Sequence, residues 1–269
     1  MVKTVAVSGG VNVSVAVEGT GPAILLLHAG VSDRHMWDAQ CNWLQARHQA
    51  VRWYWRGFGD TPYVPRPFSY AEDMVRIMEA VGLDQATLIG GSFGGAVGIP
   101  VAVQHAQRLE RLVLVGADVS GFEAPNPPKV RELFQQGEEA WKRADRPATL
   151  ALDEQIWLVG PYRIAADVDP AYLCRARELL RRGDQPANGA ESLDTDWSCL
   201  DRLSAITVPV LTMVGTEDVP SLLEAARYGA QACRQAVLKL LEGAAHLPSL
   251  EIPDVFNRVL QDWLSRTGV

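Results

Sequence analysis

Five consecutive apolar residues, Ala23-Ile24-Leu25-Leu26-Leu27, constrain this chain more than any other stretch. The run is too short for a membrane span. It lacks the alternation of a strand with one wet face, so it reads as a strand covered on both sides. Such a strand belongs in a sheet sandwiched between helices, and the neighbouring residues supply both. Val11–Val17 alternates with period two, and Gly19-Thr20-Gly21-Pro22 turns the chain into the apolar run. Val51–Tyr54 reads as a further strand. Ser69–Val81 reads as a helix, with Ser69 and Glu72 spaced as a capping box and Gly82 as its stop. Ala86–Gly90 is a strand, a helix runs from Ser92 towards His105, and Leu112–Val115 is the next strand. Pro100 should kink or break that helix.

The alternation then stops. From about Phe122 to Ala205 the chain carries Pro125-Asn126-Pro127-Pro128 and helical stretches holding Trp141, Trp157 and Trp197. It resumes with strand Val210–Val214, a helix near Leu222–Ala232, strand Ala236–Leu241 and a helix near Pro253–Leu264. The expectation is an α/β fold with a mostly parallel sheet and helices on both faces. Residues 1–121 and 206–269 would form its core domain, and 122–205 an inserted helical cap.

Among 269 residues the net charge is −7 and the sequence pI about 5.3, which argues against a nucleic-acid partner. Met1–Ser8 lacks the apolar core of a signal peptide, and no run is long enough to span a membrane. Cys41, Cys174, Cys199 and Cys233 are too scattered for a zinc or redox motif. A cytoplasmic protein with reduced thiols is the simplest expectation.

Gly90-Gly91-Ser92-Phe93-Gly94 fits G-x-S-x-G between a strand and a helix. A serine forced into a sharp turn tolerates only small residues two positions away. The turn exposes its hydroxyl at the carboxyl end of the sheet. The helix that follows aims its positive end, with the Phe93 N–H, at developing negative charge. A glycine-rich turn that merely packs tightly or cradles phosphate is the alternative for the pentapeptide alone.

A serine hydroxyl needs a base to become a nucleophile. Of five histidines, His246 lies in Gly243-Ala244-Ala245-His246-Leu247-Pro248, after the last strand and before the last helix. Asp218, directly after strand Val210–Val214, is the candidate for the acid that orients it. Asp194 and Asp196 are weaker candidates because they precede that strand. The chain order Ser92, Asp218, His246 is that of one hydrolase fold.

With these residues in hand, the sequence resembles the α/β-hydrolase superfamily, of the esterase and lactonase type, including enol-lactonase-like and carboxylesterase-like members. The resemblance rests on His28-Ala29-Gly30, Arg56-Gly57-Phe58-Gly59, the Ser92 turn and the Asp218 and His246 loops, and is weakest across the cap. It implies a central sheet of about eight strands with a cap after the sixth. It implies an oxyanion hole of Gly30 and Phe93 N–H groups, a supporting role for His28, and no metal or organic cofactor. Ala29 stands where the family usually has glycine. Tyr54 stands where it commonly has aspartate, so Tyr54 and Trp55 join His28, Trp141 and Trp157 as candidates for the pocket wall. Tyr162 and Tyr172 are read, with most cap aromatics, as cap core.

The expected activity is hydrolysis of a small carboxylic ester or lactone through an acyl-enzyme on Ser92. The same triad would serve a carbon–carbon bond hydrolase, a cyclase or an acyltransferase of secondary metabolism. A receptor-like protein that binds a ligand with little turnover is the reading from outside enzymology.

Overall fold

The computed structural model describes residues 1–64, 66–183 and 199–268. Trp197, Asp194 and Asp196 lie outside them. The strands are β1 (Val2–Ala6), β2 (Asn12–Glu18), β3 (Ala23–Leu27), β4 (Gln49–Trp53), β5 (Ala86–Gly91), β6 (Leu109–Val115), β7 (Val210–Gly215) and β8 (Ala236–Leu241). They form one sheet in the order β1-β2-β4-β3-β5-β6-β7-β8. β2 is antiparallel to both its neighbours, and β4 through β8 pair in parallel. The apolar run of β3 sits mid-sheet, with Leu25 paired to Val51 on one side and Leu88 on the other.

Burial on both faces is visible residue by residue. Leu25, Leu27, Leu88, Leu112 and Leu114 join one core cluster, while their neighbours Ile24, Leu26, Ile89, Val113 and Val115 join another. The first cluster is completed by α2 (Tyr70–Val81) and α3 (Phe93–Gln104). The second is completed by α1 (Asp38–Leu44) and α9 (Pro253–Arg266). The Ser69 side chain accepts the Glu72 N–H, and Gly82 stops α2 in the left-handed conformation. Both helix ends are as the sequence predicts.

Pro100 does not end α3, which continues to Gln104. Losing one helical hydrogen bond costs about 3 kcal/mol. Burial of Val97, Ile99 and Val101 in the first core offsets it at roughly 1.5–3 kcal/mol per side chain.

Between β6 and β7 lie α4 (Pro128–Lys142), α5 (Arg146–Asp153), a π-helical turn at Glu154–Val159, and α6 (Pro170–Gly183). α7 (Pro220–Ala232) and the short α8 (Pro248–Glu251) follow β7 and β8. Leu173, Ala176, Leu179 and Leu180 of α6 pack into the second core beside residues of α1 and α9. Val130 and Ile156 form a small separate cluster with Val219 and Leu222. The insertion is thus anchored to the main body at two places.

Because β5 to β8 are parallel, their carboxyl ends share one edge. Gly91 pairs with Val115, Val115 with Met213, and Gly215 with Leu241. Ligand sites of open α/β sheets form at that edge.

Candidate active site

Ser92 follows β5 at that edge with φ 47° and ψ −112°, a conformation L-residues rarely adopt. Its backbone N–H donates to the Val115 carbonyl at 2.7 Å, fixing the turn to β6. The flanking glycines are required by close approach. A Cβ on Gly90 would lie 2.5 Å from backbone atoms of Gly94 and Gly95, and one on Gly94 would lie 2.5 Å from the Leu27 carbonyl. The small residues expected two positions either side of Ser92 are therefore enforced by backbone on both sides.

His246 and Asp218 are both buried. His246 Nδ1 lies 2.9 Å from Asp218 Oδ2 and 3.1 Å from Oδ1. Asp218 Oδ1 also accepts the Val219 N–H at 2.7 Å. With Nδ1–H donated to this carboxylate, the imidazole keeps its lone pair on Nε2. The His246 N–H donates to the Trp157 carbonyl at 3.3 Å, and the Trp157 ring lies 4.6 Å from the imidazole.

A cavity of about 830 Å³ opens on this edge, and Ser92, Phe93 and His246 all line it. Phe122, Phe134, Trp157 and Leu222 give it apolar walls. Gly30 sits beside the helix start, since a Cβ on it would lie 3.8 Å from Phe93 Cβ. The structure thus brings Ser92, Phe93, Gly30, Asp218 and His246 to one end of the sheet.

Of the five wall candidates, only Trp157 lines the cavity. His28 is fully buried and does not line it. Its Nδ1 lies 2.9 Å from the Ala29 carbonyl, and its Nε2 accepts the Trp55 N–H at 3.1 Å. The Trp55 indole N–H returns a bond to the His28 carbonyl at 3.0 Å. Burial drives the His28 pKa down to about 3, so the ring is neutral and supports the loop that carries Gly30. Trp55 is buried and packs edge-on against Phe93 and Tyr70. Tyr54 turns aside, with the Arg34 guanidinium 4.2 Å over its ring. Trp141 is 55% exposed on the outer side of α4, and Tyr162 is also exposed, so neither is cap core. Tyr172 is buried, and its hydroxyl donates to the Leu158 carbonyl.

Sequence reasoning missed Gly116. It has φ 55°, and a Cβ there would lie 3.2 Å from both Asp218 Oδ2 and His246 Nδ1. Its signal was available: it directly follows the strand predicted at Leu112–Val115. Asp118 and Glu123, which also line the cavity, were missed. Among the described residues, no group of three or more His, Cys, Asp or Glu side chains is placed to hold a metal ion. None of the described helices is long and apolar enough to cross a membrane.

A mostly parallel sheet, a strained serine between β5 and α3, and a buried Asp–His pair after the next strands define a hydrolase of the α/β type. The sequence model of the alpha/beta hydrolase family matches residues 24–259, and the chain belongs to that family. A putative carbamate hydrolase RutD of Azorhizobium caulinodans is 28% identical over 253 residues, covering 91% of each chain. A thermophilic esterase from Thermogutta terrifontis superposes with a TM-score of 0.80 over the full length of both chains at 22% identity. The enol-lactonase from Burkholderia xenovorans LB400 superposes with a TM-score of 0.70, over 98% of this chain and 100% of that one, at 23% identity.

Proposed function

We propose that this α/β-hydrolase cleaves a small carboxylic ester or lactone through an acyl-enzyme on Ser92. The observation that carries the reading is the shared cavity: the strained serine and the Asp218-bound His246 line the same space. His246 Nε2 takes the Ser92 proton as the hydroxyl attacks the carbonyl carbon. Asp218 holds the tautomer and stabilises the imidazolium. The N–H groups of Phe93 and Gly30 receive the oxyanion. His246 then protonates the leaving alkoxide. Water, deprotonated by the same ring, attacks the acyl carbon and frees Ser92. The described part of the segment between β6 and β7 serves as the cap of the cavity, and Phe122, Phe134 and Trp157 are its apolar contributions to the wall.

The test is covalent trapping. A fluorophosphonate is expected to label folded protein at Ser92, and Ser92→Ala and His246→Ala are expected to abolish labelling. Absence of label on folded wild-type protein would sink the reading. A panel of aryl esters, lactones and carbamates then ranks the leaving groups. The carbamates are included because the relative from Azorhizobium caulinodans is named for one.

A further inference from the structure

The cavity wall is unbalanced in charge. Among the described residues, Asp118 and Glu123 line it and no lysine or arginine does, which leaves His246 as the one basic side chain there. The imbalance begins next to the reacting groups. Gly116 lies against the Asp218–His246 pair, Ala117 meets the helix that starts after Ser92, and Asp118 is the next residue of the chain. Partial burial raises its pKa above the usual range. Among the described residues no arginine or lysine forms an ion pair with Asp118 or Glu123. Elsewhere among the described residues of the insertion some carboxylates are matched by a cation: Arg177 pairs with Glu154, and Arg175 with Glu178. Both residues line the space where the substrate goes, and both are solvent-exposed there.

The remaining wall suits the same partner. Phe122, Phe134 and Trp157 present aromatic surface to the cavity. Aromatic faces attract cations and are indifferent or unfavourable to carboxylates. The chain's net charge of −7 adds a long-range field of the same sign.

We infer that the cavity selects a cationic substrate, an ester or lactone carrying a protonated amine or quaternary ammonium group, with Asp118 as the main specificity determinant and Glu123 assisting at the rim. The inference rests on the reading of this cavity as the place where the ester is cut. An acyl or alcohol part bearing a carboxylate would meet the like charge of Asp118 and be disfavoured.

The test uses isosteric pairs that differ only in charge. One pair is the 4-nitrophenyl esters of 4-(trimethylammonio)butanoate and 5,5-dimethylhexanoate. The other is the phenylacetate esters of choline and 3,3-dimethylbutanol. The two pairs distinguish a cation on the acyl side from one on the alcohol side. Wild-type kcat/KM is expected to favour the cationic member of at least one pair by about tenfold. Added salt should reduce the ratio, and in Asp118→Asn it should fall to within about twofold of unity. Ratios at or below one for both pairs would overturn the inference. So would a preference that survives in Asp118→Asn/Glu123→Gln.

Binding to Ser92→Ala, measured by calorimetry with the same four esters, separates this inference from the reading it rests on. Tighter binding of the cationic member without wild-type turnover would overturn the ester-hydrolase reading and keep the charge selection. Turnover of every ester with equal affinities within each pair would do the reverse.

Discussion

Ser92 holds a backbone that its own chemistry does not favour. At φ 47° and ψ −112° a Cβ is crowded, and such residues cost about 1–3 kcal/mol. The fold over-determines the turn through the Val115 carbonyl and through the glycines packed on Leu27 and Gly94. Removing the Cβ should release the strain. Ser92→Gly is expected to raise unfolding stability by about 1 kcal/mol and abolish hydrolysis, while Ser92→Ala abolishes hydrolysis with stability nearly unchanged. Urea denaturation of the three proteins checks this. A glycine variant no more stable than the alanine variant would show that the turn stores no strain. This much was legible in the sequence, because a G-x-S-x-G between strand and helix states its own backbone demand. The direction of Tyr54 and Trp55 was not. Adjacent strand-end residues point to opposite sides, and which side holds the cavity depends on Arg34 and Phe93, 20 residues back in one case and 38 ahead in the other.

At the scale of elements, the histidine loop is held by the insertion. Arg163, between the π-helical turn and α6, donates from Nε to the Val159 carbonyl at 2.6 Å and from Nη1 to the Gly243 carbonyl at 2.6 Å. Its Nη2 lies 2.8 Å from Glu251 Oε1, and Glu251 Oε2 accepts the Ala245 N–H at 2.7 Å. Arg163 and Glu251 thus grip Gly243 and Ala245, just ahead of His246, while the Trp157 carbonyl takes the His246 N–H. Arg163→Ala is expected to cost about 3 kcal/mol, since it leaves Glu251 poorly paired in a buried site. Its kcat should fall by about tenfold or more with little change in KM, and Arg163→Lys should recover part of the loss. Steady-state kinetics of the folded variants check it, and an unchanged kcat in Arg163→Ala would mean the loop needs no such grip. The sequence marked the insertion as helical but not this grip. Side chains that bond across 80 residues leave no periodic trace. For the same reason aromatic identity alone did not separate Trp157, which faces the imidazole, from Trp141, which faces solvent.

For the whole molecule, the legible part was the sheet. Parallel strands buried on both faces must be continuous apolar runs, and five of the eight strands here announce themselves that way or nearly so. β1 did not, because an edge strand with residues such as Lys3 and Thr4 has no such obligation. Besides the β2–β4 ladder, a buried ion pair ties this edge ribbon to the rest. Arg56 Nε meets Asp73 Oδ2 at 2.7 Å, and Arg56 Nη2 donates to the Ser8 carbonyl and hydroxyl. Asp73 Oδ1 in turn accepts the Ser8 N–H and O–H. One cluster thereby joins the turn between β1 and β2, the turn after β4, and α2. Arg56 stood out in the sequence only as part of Arg56-Gly57-Phe58-Gly59. Its partner sat inside a helix, where the amphipathic pattern gave a buried aspartate no role. The pair's worth lies in what breaking it leaves behind. Asp73→Leu alone should destabilise the protein by about 3–5 kcal/mol, because it strands a buried guanidinium. Arg56→Met/Asp73→Leu should cost less than Asp73→Leu alone, since no uncompensated charge remains. Denaturant unfolding of wild type, both single variants and the double variant closes the cycle. Additive losses in the double variant would mean that Arg56 and Asp73 act independently, each through its own bonds to Ser8.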